Sequence, residues 1–123
     1  MDFNTSVPIY LQIITAFKRR IATGSLGPGD RLPSQRDLAI DLKVNANTVQ
    51  RAYREMENLG LVETLRGQGT FVCSREDLRN EIRGEMLSQL VRDFVRAMHS
   101  LGCSEKTAVE LVQKRFGEVN EDD

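Results

Sequence analysis

The stretch NANTVQR, residues 45–51, concentrates side chains that donate or accept hydrogen bonds. They are Asn45, Asn47, Thr48, Gln50 and Arg51. An Asn or Gln amide donates and accepts side by side, so it can pair in bidentate fashion with the edge of adenine. These residues suggest recognition of base edges, provided that an element presents them together on one surface.

The chain offers little for other chemistry. It has one histidine, His99, and two cysteines, Cys73 and Cys103, which do not have metal-ligand spacing. It contains no Walker loop, no HExxH motif and no dinucleotide-binding glycine pattern. We therefore predict no enzyme activity, no catalytic residue, no metal and no cofactor. A redox role of either cysteine is left open, with Arg75 as the neighbour that could lower the pKa of Cys73.

Composition and charge indicate a water-soluble globular protein, with 40% hydrophobic and 28% charged residues among 123. No apolar run reaches the roughly 20 residues that span a bilayer, and the N-terminus MDFNTSVPIY lacks the apolar core of a signal peptide. We expect a cytoplasmic protein without a membrane partner. The net charge is +2 over residues 1–72 and −3 over residues 73–123. The N-terminal part is therefore the better candidate to face an anion.

The elements that would position the polar cluster begin with a helix. Apolar residues recur at spacings of three and four from Tyr10 to Ile21, and Gly24 is a suitable end for this helix. The segment 25–34 is rich in glycine and proline, which predicts a loop.

Two further helices follow, separated by a short turn. Ser34 and Asp37 resemble a capping box that starts a short helix ending near Lys43. Asn45 is a suitable N-cap for the next helix, which Gly60 ends. The apolar face of that helix is formed by Val49, Ala52, Tyr53, Met56 and Leu59. The amides of the opening stretch then fall at a helix start.

After Gly60 the period changes to the alternation of a strand. Gly67 and Gly69 supply permissive backbone for a turn, and residues 70–72 form the returning strand. The sequence therefore predicts a β-hairpin with Arg66 at its bend.

The C-terminal part predicts one long helix over residues 75–101 and a second helix capped by Ser104, with Gly117 beyond its end and a frayed acidic tail. The long helix carries a coiled-coil-like seam over two heptads. Leu78, Ile82, Met86, Val91, Val95 and Met98 widen its apolar face.

Helix, loop, short helix, turn, helix and hairpin is the order of a winged helix-turn-helix, in which the second helix of the pair enters the major groove of DNA. On this interpretation Asn47, Gln50 and Arg51 lie on or near the outer side, and Arg66 reaches a narrow minor groove or a phosphate. An Asn that only caps its helix, and a wing that is only a flexible turn, are the simpler alternatives. The second class of function is a winged helix used purely for protein–protein assembly, which exposed amides and arginines disfavour.

Residues 32–72 resemble the DNA-binding domain of GntR-family transcription regulators. The motifs that carry the resemblance are LPS-x-R-x-LA, NTV-x-RAY-x-E-M-E-x-x-GL and RG-x-GTFV. The motif N-x-NTVQRAY and the short two-helix tail resemble the YtrA-like branch in particular. The resemblance implies a repressor that binds an inverted-repeat operator with GT and AC arms, often for an operon encoding an ABC transporter. A small-molecule effector is left open.

The resemblance also implies roles for individual residues. Ser34 and Arg36 match positions that contact phosphate and guanine, and Gly67 matches the wing contact. Asn45, Asn47 and Thr48 fall on the start of the recognition helix. Ala46 and Gln50 stand where many members carry arginine, so base preferences of those members do not transfer. Arg51 and Arg66 complete the predicted DNA-binding set.

The expected architecture is mainly α with a small β-hairpin. Residues 1–73 form the winged helix-turn-helix and residues 74–123 a two-helix dimerisation segment with a short acidic tail. The predicted dimer contact residues are Leu87, Leu90, Phe94, Met98 and Leu101. Packing of this face onto the chain's own winged domain is the alternative. Because all core residues considered for the winged domain precede Val72, a fragment ending there is expected to fold.

Overall fold

The computed structural model describes residues 2–122, with side chains described for residues 2–119. Its helices and strands are α1 (Ile9–Thr23), α2 (Gln35–Leu42), α3 (Ala46–Asn58), β1 (Val62–Leu65), β2 (Gly69–Val72), α4 (Leu78–Ser100) and α5 (Glu105–Asp122). This is the predicted order of elements. The chain divides into two compact units, one ending at Gly84 and the other beginning at Glu85.

Helix α1 forms because its apolar residues repeat along one face, and Ile13, Ile14, Phe17 and Ile21 are all buried. It ends at Gly24, whose φ of 84° is left-handed and whose N–H donates to the carbonyl of Ile21. The predicted glycine stop is therefore confirmed.

Helices α2 and α3 begin at the predicted caps. The Ser34 hydroxyl accepts a hydrogen bond from the Asp37 N–H at 3.1 Å, and the Asn45 side chain accepts one from the Asn47 N–H at 2.7 Å. Between the helices, Lys43 adopts a φ of 56°, the one positive φ of a non-glycine residue in residues 2–122. This left-handed residue ends α2 and turns the chain into α3.

Helix α3 is the centre of the first unit, because it packs against α1, α2 and β1. Its Tyr53 ring meets the Phe17 ring edge-on, with 6.0 Å between ring centroids. The Tyr53 hydroxyl donates to the Pro33 carbonyl at 2.6 Å, which ties α3 to the start of α2. Burial raises the pKa of the Tyr53 phenol, so the hydroxyl stays a donor.

One residue of the predicted apolar face of α3 is misplaced. Leu59 is exposed, because it lies at the C-cap beyond the last helical residue, where the chain already turns. Leu61, two residues later, is buried in its stead.

The wing is an antiparallel hairpin in which Val62 lies opposite Val72. The segment 25–34 forms the predicted loop, and it contains one backbone pairing that the sequence does not indicate. Arg31 forms an isolated bridge with Phe71, on the free edge of β2. The pairing arises because the extended chain that leads into α2 satisfies backbone groups that the two-stranded hairpin leaves open.

Helix α4 begins in the first unit, where Leu78 and Ile82 are each 1% exposed. Arg79 adds a hydrogen bond from its Nε to the Ala22 carbonyl at 3.3 Å. Leu78 and Ile82 thus lie on an apolar face of α4 as predicted, but they are core residues of the first unit and not part of an exposed dimer face. A fragment ending at Val72 would lack these two core residues, so the core does not lie entirely before Val72, and the folding of that fragment stays a prediction.

Helix α5 starts after Ser104, whose hydroxyl accepts from the Thr107 N–H at 3.2 Å as predicted. The prediction that the helix ends before Gly117 is wrong, because α5 continues to Asp122. Fraying of the acidic tail stays a prediction, and its last residue, Asp123, lies outside the described residues. An interior glycine costs only about 1 kcal/mol relative to alanine, which the flanking helical residues can absorb. Among the described residues, no helix has the length and apolarity needed to cross a membrane.

Candidate nucleic-acid interface

A groove of about 710 Å³ lies between α2 and α3 on the outer surface of the first unit. It is lined by Gln35, Arg36, Ala39, Ile40, Lys43, Val44, Ala46, Asn47 and Gln50. The groove brings together Arg36, Asn47 and Gln50, which the sequence places on two different helices. All three side chains are exposed, so their donors and acceptors can reach a ligand.

Ser34 and Asn45 serve the fold in this structure, because their side chains cap α2 and α3. Thr48 is half-buried in the first turn of α3, and its N–H donates to the Asn45 carbonyl at 3.0 Å. These residues place helix starts beside the groove but do not themselves line it.

Arg51 is not brought into the groove. Its guanidinium carbon lies 3.9 Å from the centroid of the Tyr10 ring, and its Nη2 donates to the Tyr10 hydroxyl at 3.2 Å. The cation–π contact fixes the arginine against α1. No signal in the sequence predicts this contact, because residues 10 and 51 meet only through the packing of α1 on α3.

Arg66 and Gly67 lie in the turn of the wing, and both are exposed. Gly67 has a φ of 78°, and a Cβ built there would meet nothing within 4 Å. Glycine is therefore required by the backbone conformation, and the open space beside it leaves room for a close approach by another molecule.

A second arginine of the wing was missed by the sequence analysis. The Nε of Arg31 lies 2.9 Å from where a Cβ of Gly69 would be, and Gly69 has a φ of 123°. The guanidinium therefore packs directly on the glycine backbone of β2. No carboxylate lies within 4.0 Å of it among the described side chains. The only sign of this arginine in the sequence is a basic residue directly before the LPS motif. Because the segment was predicted only as a loop, no role was assigned to that residue.

Arg31 also lines a small cleft of about 470 Å³ at the start of α2, together with Arg20 and Ser34. Two guanidinium groups beside a helix N-terminus suit a phosphate. Asp37 lines the same cleft and reduces its positive charge.

The two thiols are free and half-buried. Burial, and then the negative charge of Glu63, raise the pKa of Cys73, and the opposing effect of Arg75 is smaller. A raised pKa disfavours the reactive thiolate. The one neighbour considered as an activator is therefore outweighed.

In the second unit the predicted contact residues lie on the surface of the single chain. Leu87, Leu90, Phe94 and Leu101 are exposed, and Met98 is half-buried. Between α4 and α5 lies a cleft of about 600 Å³. Its lining includes Phe94, Met98, His99 and Cys103.

Comparison with known proteins agrees with this geometry. Residues 9–72 match the family model described as bacterial regulatory proteins, gntR family. The chain is 44% identical over 112 residues to the uncharacterized HTH-type transcriptional regulator YhcF of Bacillus subtilis, covering 91% of this chain and 93% of that protein. It is 42% identical over 121 residues to the HTH-type transcriptional repressor YtrA of the same organism, covering 97% and 92%.

A solved structure of a GntR family transcriptional regulator from Listeria monocytogenes superposes with a TM-score of 0.86 at 35% identity, covering 91% of this chain and 98% of that chain. The elements and the groove define a winged helix-turn-helix DNA-binding protein with two C-terminal helices. The chain belongs to the GntR family of bacterial transcription regulators. It is a DNA-binding regulator and not an enzyme, and the resemblance to the YtrA-like branch is confirmed.

Proposed function

We propose that this regulator is a sequence-specific repressor that binds an inverted-repeat operator as a homodimer. The observation that carries the proposal is the common groove of Arg36, Asn47 and Gln50. In the proposal Arg36 pairs with guanine, and the amides of Asn47 and Gln50 pair with adenine, because those are the base edges that each group fits.

The remaining residues of the proposed interface hold the DNA backbone around that groove. Ser34, Asn45 and Thr48 lie at the starts of α2 and α3, where the positive end of the helix dipole favours phosphates. Arg51, braced by Tyr10, contacts a flanking phosphate. The proposed role of the wing is a backbone or minor-groove contact through Arg66 and Gly67.

The proposed dimer forms through the second unit, which begins at Glu85 and lies within the segment 74–123 that the sequence analysis assigned to dimerisation. The supporting observation is a face of large apolar side chains that a single chain leaves exposed, with Leu90 at 62% and Leu101 at 84%. Burial of about 600 Å² of such surface per subunit would contribute on the order of 15 kcal/mol before entropy costs, at ~25 cal/mol per Å². Two-fold dimers match the symmetry of inverted repeats.

The proposed target is an operon encoding an ABC transporter, and the proposed location is the cytoplasm, where the operator would be. Both proposals are supported by similarity to the YtrA-like branch, whose named repressor in Bacillus subtilis is 42% identical.

The proposal is tested by selecting duplexes from a randomised pool with the intact protein and then measuring affinity by fluorescence anisotropy. We expect an inverted repeat and strong salt dependence, because roughly 6–10 phosphate contacts lower affinity by about 10³–10⁵ between about 50 and 200 mM salt. A scrambled duplex of the same composition is the control. Equal affinity for both duplexes or a salt-insensitive complex contradicts the proposal. Binding to neither duplex would favour a module used purely for protein–protein assembly.

A further inference from the structure

Ile40 lies on the outer surface of α2, and packing in the core does not explain why an apolar side chain stands there. It is 63% exposed, more than any other large apolar side chain described in the first unit. It lines the groove between α2 and α3. Ala46, the first residue of α3, lines the same groove and is also exposed. Of the four apolar residues that line the groove, these two are the exposed ones, whereas Ala39 is buried and Val44 half-buried.

The surroundings of these groups restrict what can cover them. Arg36 and Lys43 supply positive charge and Asn47 and Gln50 supply amides, while no carboxylate lines the groove among the described residues. A purely apolar partner would bury these cations and amides unpaired, which is costly. The groove instead fits a ligand that combines negative charge, hydrogen-bonding edges and an isolated apolar group.

Duplex DNA has this combination in its major groove. Its phosphates are anionic and its base edges present donors and acceptors, and thymine alone adds a methyl group at C5. Apolar side chains are the groups that contact this methyl. The chemistry of the groove thus matches a thymine-containing half-site.

We propose that Ile40 and Ala46 contact the C5 methyl groups of thymines in each operator half-site and so determine part of its sequence. The inference rests on the proposed function, in which this groove faces the major groove. Ala46 starts α3, where the helix approaches the bases. Ile40 lies one helical turn after Arg36 on α2, beside the base that Arg36 is proposed to read.

The test uses the inverted-repeat duplex enriched by the intact protein, with each thymine replaced in turn by deoxyuridine. The replacement exchanges the methyl group for hydrogen and leaves every donor and acceptor in place. We expect the replacement to weaken binding about fourfold per half-site at the contacted positions, and about 16-fold when both half-sites are changed, as for the loss of one buried methyl group in each.

Protein variants then assign the contacts. Ile40→Ala and Ala46→Gly should each bring the thymine-to-deoxyuridine affinity ratio towards one at their own position. Ile40→Val, which keeps a branched apolar group, should retain most of the ratio. The matched control is Leu59→Ala, which removes an exposed leucine from the other end of α3 and should leave the ratio unchanged.

The outcomes separate this inference from the proposed function. Specific binding with equal affinity for thymine and deoxyuridine at every position overturns the methyl contact and leaves the repressor intact. Equal weakening of both duplexes by Ile40→Ala and Ala46→Gly also overturns it, because such residues would act through the fold or the DNA backbone. If no sequence is enriched from the pool, the proposed function fails and the inference fails with it.

Discussion

At the scale of residues, some side chains at the start of α3 form contacts within the protein, and others face outward into the groove. Asn45 caps α3 through its own oxygen, and Arg51 is fixed on Tyr10. Asn47 and Gln50 line the groove. Among the described residues, their side-chain amides form no hydrogen bond within the protein. We therefore propose that Asn47 and Gln50 discriminate between bases.

We expect Asn47→Ala to relax base preference at one position of each half-site, because a bidentate amide–adenine pair carries about 1–3 kcal/mol of discrimination. The measurement is the affinity for a set of duplexes with single base changes. Arg66→Ala is the contrasting variant, and it should weaken all duplexes to a similar degree. An unchanged profile for Asn47→Ala would limit this residue to a structural role.

At the scale of elements, the wing is supported by a segment that precedes α2. The bridge between Arg31 and Phe71 places the Arg31 guanidinium on Gly69. Arg66 therefore lies in the turn of the wing and Arg31 along its edge, and we propose that both contact the DNA backbone.

Arg31→Ala should lower affinity on all sequences, because the variant leaves a phosphate without its cation. The slope of log affinity against log salt should fall by about 0.9 for each phosphate that is no longer neutralised, or about 1.8 per dimer. The slope is measured by titrating salt on the enriched duplex. Arg19→Ala removes an equal charge from the exposed surface of α1 and serves as the control. An Arg31→Ala slope equal to that of the unmodified protein would show that Arg31 only supports the wing.

Residues close together in the sequence were sufficient to predict where several helices begin and end. Ser34, Asn45 and Gly24 act through neighbouring residues, so their roles follow from the chain itself. The contacts of Arg51 with Tyr10 and of Arg31 with Gly69 depend on how distant segments pack, and spacing does not contain that information. The groove was predictable only in part, because Arg36 joins Asn47 and Gln50 through the angle between α2 and α3.

At the scale of the whole molecule, helix α4 contributes both to the core of the first unit and to the exposed apolar face of the second. Leu78 and Ile82 complete the core of the first unit, so a fragment that ends at Val72 would lack two buried side chains. A fragment that ends at Gly84 retains them. This fragment is the appropriate monomeric reference for operator binding, and it should bind half-sites independently and weakly, because the effective concentration that a dimer provides is absent.

The homodimer is the claim on which the inverted-repeat operator depends, and sedimentation equilibrium at micromolar concentration tests it directly. We predict a dimer for the intact chain and a monomer for Phe94→Asp, because an unpaired carboxylate in a buried apolar interface is unfavourable. Leu59→Asp, which places the same charge on an exposed leucine of the first unit, should remain a dimer. A monomer for the intact chain, or an unchanged dimer for Phe94→Asp, would contradict the account.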